Sequence, residues 1–166
     1  MKTLKIRSTA MALAIAATSS LAILPATSHA FDEQSYAPIN VDKRGIGVQG
    51  HDPVAYFTVG KPTQGSAEFQ AAHEGVVYRF ASAANRDLFV ANPAKYAPQY
   101  GGFCAMGAHM GKKFDGDPKA WHIADGKLYL NLNADVQAAW LKDVPGHNQS
   151  ADAKWPGIAL KTPKSL

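Results

Sequence analysis

The pair Asp125-Gly126 stands between two β-prone runs, Ala120-Trp121-His122-Ile123-Ala124 and residues 127–132. Asp-Gly accepts positive φ at both central positions of a two-residue turn at little cost, so this stretch predicts an antiparallel hairpin. Pairing outward from the turn sets Ile123 against Leu128 and Trp121 against Leu130. Those four share one face, the expected core face, and His122 pairs with Tyr129 on the other. Asn133 is placed to cap a helix over residues 134–143, where Val136, Ala139 and Trp140 form an apolar stripe. Pro145-Gly146 is expected to close that helix. Residues 148–155 read as a last short helix and residues 158–166 as a tail.

Upstream, Val54-Ala55-Tyr56-Phe57-Thr58-Val59 has the composition of a strand, ended by Gly60-Lys61-Pro62. Val76-Val77-Tyr78-Arg79-Phe80 reads as another, entered through Glu74-Gly75. Ser82 is the expected N-cap of a helix over residues 83–91 with Leu88 on its buried side. Asn92-Pro93 stops it, and a short helical turn around residues 93–96 follows. No βαβ rhythm appears. The expected fold is a single α+β domain, a small antiparallel sheet with hairpins packed against several short helices. Its 166 residues, 46% hydrophobic and 18% charged, suit one ordinary core and exclude wholesale disorder. One cysteine excludes an internal disulfide, C-x-x-C redox chemistry and a Cys₄ zinc site.

Residues 1–30 have the three parts of a secretory signal peptide. Lys2, Lys5 and Arg7 are the positive region, residues 10–24 the apolar run, and Ser28-His29-Ala30 the small-residue cleavage site before Phe31. The apolar run is short and carries Thr and Ser, which argues against a membrane anchor. The expected location is the periplasm or the secreted space, with no membrane span after cleavage. The formal net charge of +4 shrinks with the leader. Seventeen basic residues less those three leaves 14 against 13 acidic, or +1. A nearly neutral chain offers no electrostatic case for nucleic acid.

Past the leader the chain holds only two methionines and one cysteine, all in Cys104-Ala105-Met106-Gly107-Ala108-His109-Met110. Core methionines are ordinarily scattered gap-fillers, and a buried Cys with Met nearby is ordinarily packing. Thiolate and thioether sulfur are also soft donors suited to Cu(I), and imidazole binds copper and zinc. A short helix starting near Phe103 would put Cys104 in its first turn and lower the thiol pKa. On that helix Met106 and Met110 share a face at i and i+4. Cys104 and Met106 reach one ion only if the backbone bends near Cys104, which the surrounding glycines permit. His51, in the turn Gly50-His51-Asp52-Pro53, is the other candidate ligand. His73 reads as surface, His122 faces away from the expected core, and His147 lies in a polar loop. Asn148-Gln149-Ser150 matches a short, common glycosylation sequon.

At Tyr100-Gly101-Gly102-Phe103-Cys104-Ala105 the chain resembles the YHS domain family. The resemblance extends to Gly50-His51-Asp52-Pro53-Val54-Ala55-Tyr56-Phe57, to Tyr78-Arg79-Phe80-Ala81-Ser82-Ala83-Ala84-Asn85-Arg86, and to Asp125-Gly126-Lys127-Leu128-Tyr129-Leu130-Asn131. It covers residues 46–157, preceded by an irregular lead over residues 31–45. YHS modules are also attached to heavy-metal and copper-transporting ATPases, so the resemblance implies a metal-carrying role with Cys104 as the leading ligand. His51 stands where tyrosine is common in the family, and the run His109-Met110 is particular to this chain.

The function expected from these residues is copper carriage, buffering or homeostasis, with a copper ion, or alternatively zinc, held by Cys104, His51, His109, Met106 and Met110. Cys104→Ser is expected to weaken copper binding most. A copper transporter or metallochaperone is the partner such a role calls for, and a homodimer sharing one site is a further arrangement. The alternatives are a thiol-based redox enzyme using Cys104, with His109 as its base, and a non-catalytic partner-binding domain with a buried structural Cys104. The enzyme reading lacks a resolving cysteine, an acidic pair, a phosphate loop and a triad context.

Overall fold

A computed structural model describes residues 32–166. The expected leader, residues 1–30, and its cleavage point lie outside the described residues. The fold is α+β. In chain order come α1 (Ala55–Thr58), β1 (Ser66–His73), β2 (Val76–Phe80), α2 (Ala83–Ala91), α3 (Pro93–Tyr96), α4 (Ala105–His109), β3 (Asp117–Ala124), β4 (Lys127–Asn131), α5 (Ala134–Trp140) and α6 (Val144–Ile158). The strands form two separate antiparallel ribbons, β1 with β2 and β3 with β4. Among the described residues no helix is long and apolar enough to cross a membrane.

Each ribbon turns on two residues with positive φ, Glu74-Gly75 and Asp125-Gly126, the backbone of a tight hairpin whose twist matches its strands. In the second ribbon Trp121 pairs with Leu130, His122 with Tyr129 and Ile123 with Leu128, the expected register. Alternation then sends Leu128 and Leu130 to one face and Tyr129 to the other. All three are buried, because each face of β4 meets a core. The larger core holds Leu128 and Leu130 with Val54, Tyr56, Tyr78, Phe80 and Phe89. The smaller holds Tyr129 with Tyr100, Ala105, Ala108, Trp140 and Ala151. The face expected to point away from the core is therefore covered, and the His122 ring lies edge-on to Trp140 at 6.0 Å.

The caps fall where the side chains call for them. Ser82, Asn92 and Asn133 each accept a backbone N–H three residues on, from Asn85, Lys95 and Val136. Residues 54–59, expected as a strand, instead hold α1 (Ala55–Thr58) and its flanking caps Val54 and Val59. Asp52, fully buried, accepts N–H bonds from Val54 at 2.8 Å and Ala55 at 3.2 Å through one carboxylate oxygen. The other oxygen accepts from Ala81 N–H at 2.8 Å and from the Asn85 amide at 2.6 Å. Capped in this way, the segment coils despite its β-prone composition.

Two helices also differ from expectation. On α2 it is Phe89 that is buried, against Tyr78 and Phe80, and Leu88 is exposed. Pro145-Gly146 opens a helix instead of ending one. Asp143 accepts the Gly146 N–H at 3.0 Å, and α6 runs 15 residues from there. Proline suits a helix's first turn because its missing N–H would have no partner there. Between α4 and β3, the Lys113 amine is buried and donates to the carbonyls of Ala37, Ala159 and Lys161 at 2.8–3.0 Å. That one side chain ties both ends of the described chain to the body.

Asp52→Ala is expected to lower stability by about 3 kcal/mol or more, since it strands several buried N–H groups at once. Leu88→Ala should move it by no more than about 0.5 kcal/mol, as an exposed position does. Urea unfolding of both variants measures the contrast, and equal losses would contradict the account.

Candidate functional site

The soft donors enter the fold through a tight backbone turn. Tyr100, Gly101 and Gly102 all have positive φ. A side chain at Gly101 would run into the Pro38 carbonyl, so glycine is required there. The turn delivers Cys104 to the N-cap of α4. Its backbone N–H bonds the Phe114 carbonyl at 3.0 Å, and it bridges to Leu130 of β4. The sulfur accepts the Gly107 N–H at 3.3 Å and donates to Asn131 Oδ1 at 3.7 Å. Asn131 Oδ1 also accepts the Met106 N–H at 3.2 Å.

Cys104 is fully buried. Burial pushes its thiol up from the ordinary value, against a smaller downward pull from backbone N–H groups of Gly107, Leu132 and Met106. The expected helix-lowered thiolate is corrected here. A helix of five residues offers little dipole, and loss of hydration outweighs it. The thiol is protonated at neutral pH, a poor nucleophile that acts as a cap and packing group.

His51 belongs to a different neighbourhood. It forms a β-bridge with Gln64, and the charges facing it are those of Asp117 and Lys119. Its Nδ1 is buried with no hydrogen-bond partner among the described residues. His73 packs edge-on against Phe89 beside Glu74.

His109, Met106 and Met110 stay together because α4 carries them. Met106 packs against the smaller core, while Met110, at the C-cap, is 59% exposed. His109 Nδ1 is buried without a hydrogen-bond partner among the described residues. The His109 ring meets the His147 ring edge-on, with centroids 4.7 Å apart. His147 Nδ1 lies 2.9 Å from the Trp140 carbonyl. A carbonyl only accepts, so Nδ1 carries the proton and the lone pair of the neutral ring sits on Nε2. The Lys154 amine is nearby, bonded to the His109 carbonyl at 2.6 Å, and Asp143 is the facing acid. Burial, then His147 and Lys154, hold the His109 imidazole below its ordinary 6.5.

The five candidate ligands are thus not gathered around one point. Among the described residues, no three His, Cys, Asp or Glu side chains come together in a group able to hold a metal ion. A cleft of about 520 Å³ opens elsewhere, lined by residues that include Ile39, Asn40, Asp42 and Phe103, and none of the candidates lines it. The sequence reading passes over His147 because it treats Pro145-Gly146 as a stop. The signal was Asp143 two residues before Pro145, an N-cap followed by proline, which places His147 in the first turn of a helix. No protein-family model, no curated protein and no solved structure matches this chain.

Two tests follow from these environments. Thiol reagents should label Cys104 in the native protein orders of magnitude more slowly than in urea; equal rates would show the sulfur to be accessible. The second concerns His51, whose pKa burial holds below its ordinary 6.5. The unfolded chain then takes up the proton first as pH falls, so stability is whole above that value and declines below it. Urea unfolding at about pH 7.5 and about pH 5.5 should show this loss. His51→Gln should reduce the difference between the two pH values, and an unchanged difference would remove His51 as a source.

Proposed function

We propose that this chain is an exported copper-binding protein of the YHS type that carries or buffers Cu(I), with α4 as the donor-bearing element. One observation carries the reading. A single short helix and its C-cap hold His109 between Met106 and Met110, with an imidazole nitrogen unpartnered among the described residues and an exposed Met110 side by side in sequence. Thioether and neutral imidazole together favour Cu(I) over Zn(II), which prefers thiolate, imidazole and carboxylate in fours. The resemblance to modules attached to copper-transporting ATPases and the secretory leader both support it. Cys104 serves that helix as its buried N-cap. Cu(I) could recruit the thiol only by opening the core around it.

The non-catalytic reading, a partner-binding domain with an inert Cys104, is favoured by the complete burial of that sulfur. Competition against a Cu(I) chelator under reducing, oxygen-free conditions separates the two. The full exported chain should hold Cu(I), Met110→Leu and His109→Asn should each weaken it roughly tenfold or more, and Cys104→Ser should leave it within about threefold. A chain that holds no Cu(I) leaves the non-catalytic reading in place. A large loss at Cys104→Ser alone would return the thiol to the centre.

A further inference from the structure

We propose that His147 is the second imidazole of the copper site, so that His109 and His147 bind one Cu(I) between α4 and α6, with the Met110 thioether as third donor. This rests on the copper reading above and gives it a ligand set.

Three independent features converge on this place. The His147 ring is oriented before any ion arrives, because its Nδ1–H is engaged by the Trp140 carbonyl. A backbone carbonyl on the far nitrogen of an imidazole is how metal-ligating histidines are commonly held, and it leaves Nε2 as the donor. Next to it, His109 Nδ1 is buried and has no hydrogen-bond partner among the described residues. An unsatisfied buried nitrogen is a cost that a metal bond would remove. Finally, Met110 follows His109 directly and is 59% exposed.

The spacing limits the coordination. With metal–nitrogen bonds of about 2 Å, two imidazoles on opposite sides of an ion have centroids roughly 6 Å apart. The observed 4.7 Å places an ion off the line between the rings. That bent arrangement leaves one side open for a thioether. Charge selects the same ion. The Lys154 amine, held on the His109 carbonyl, repels any cation there, with Asp143 in partial compensation. The repulsion doubles from Cu(I) to Cu(II) or Zn(II).

The test uses the full exported chain with Cu(I), and with Ag(I) as a redox-inert stand-in. His147→Asn keeps a donor for the Trp140 carbonyl and removes Nε2, so its urea midpoint should match wild type. Its Cu(I) affinity should fall about tenfold or more, as should that of His109→Asn. Copper K-edge absorption of the wild-type complex should show two nitrogen neighbours near about 2 Å and one sulfur. If wild type binds Cu(I) and His147→Asn binds it equally well, the two-imidazole site is wrong while the copper reading stands. A wild-type spectrum with fewer than two nitrogen neighbours has the same consequence, whatever the variant's stability. If wild type binds neither ion, the copper reading falls and this site with it.

Discussion

The buried carboxylate of Asp52 is the interaction on which the larger half of the fold depends. It accepts from the backbone at Val54, Ala55 and Ala81 and from the Asn85 amide. A carboxylate removed from water needs such donors, since an uncompensated buried charge costs several kcal/mol. Their positions dictate the path of the chain: α1 must start at once after Pro53, and α2 must begin just past β2. Asn131 is the corresponding joint in the smaller half. Its side-chain oxygen takes the Met106 N–H and the Cys104 thiol, fixing α4 against the end of β4. Asp52 thus joins residues 50–57 to residues 78–86, and Asn131 joins residues 100–106 to residues 125–131.

Local chemistry was legible and long-range chemistry was not. The hairpin register, the caps at Ser82 and Asn133, and the inward Trp140 follow from neighbours within a few residues. The strand expected at residues 54–59 failed because its apolar composition competes with a cap whose other donors lie about thirty residues away. Leu88 and Phe89 adjoin on α2, and only the position of Tyr78 and Phe80 decides which turns inward. Lys113 gives no sign at all. A lysine beside another lysine reads as solvated, and its burial depends on three carbonyls from the two ends of the described chain.

The candidate site divides in the same way. Met106, His109 and Met110 were visible together because one helical turn keeps them together. Cys104 was visible as a sulfur, with burial and metal ligation left as alternatives, since its depth is set by β4 crossing behind it. His147 was the residue sequence could least place. Its position against His109 is made by α4 packing along α6, two helices separated by the whole second ribbon and α5.

The depth of α4 then sorts its donors by chemistry. Five residues rise about 7–8 Å, enough to carry the backbone from the core to the surface. The one group able to bring negative charge, Cys104, is at the inner end, and the neutral thioether of Met110 is at the outer end. An ion held by imidazole and thioether keeps its full charge and is bound without the electrostatic gain a thiolate would bring. Such a site binds less tightly and releases more readily than a thiolate site. On the proposed reading, the ion would sit toward the outer end of α4, beside the exposed Met110. A thiolate at the inner end would hold the ion behind packed side chains, and release would require α4 to separate from β4. On that reading neutral donors would suit transfer, and the protonated thiol in the core would hold the helix in place.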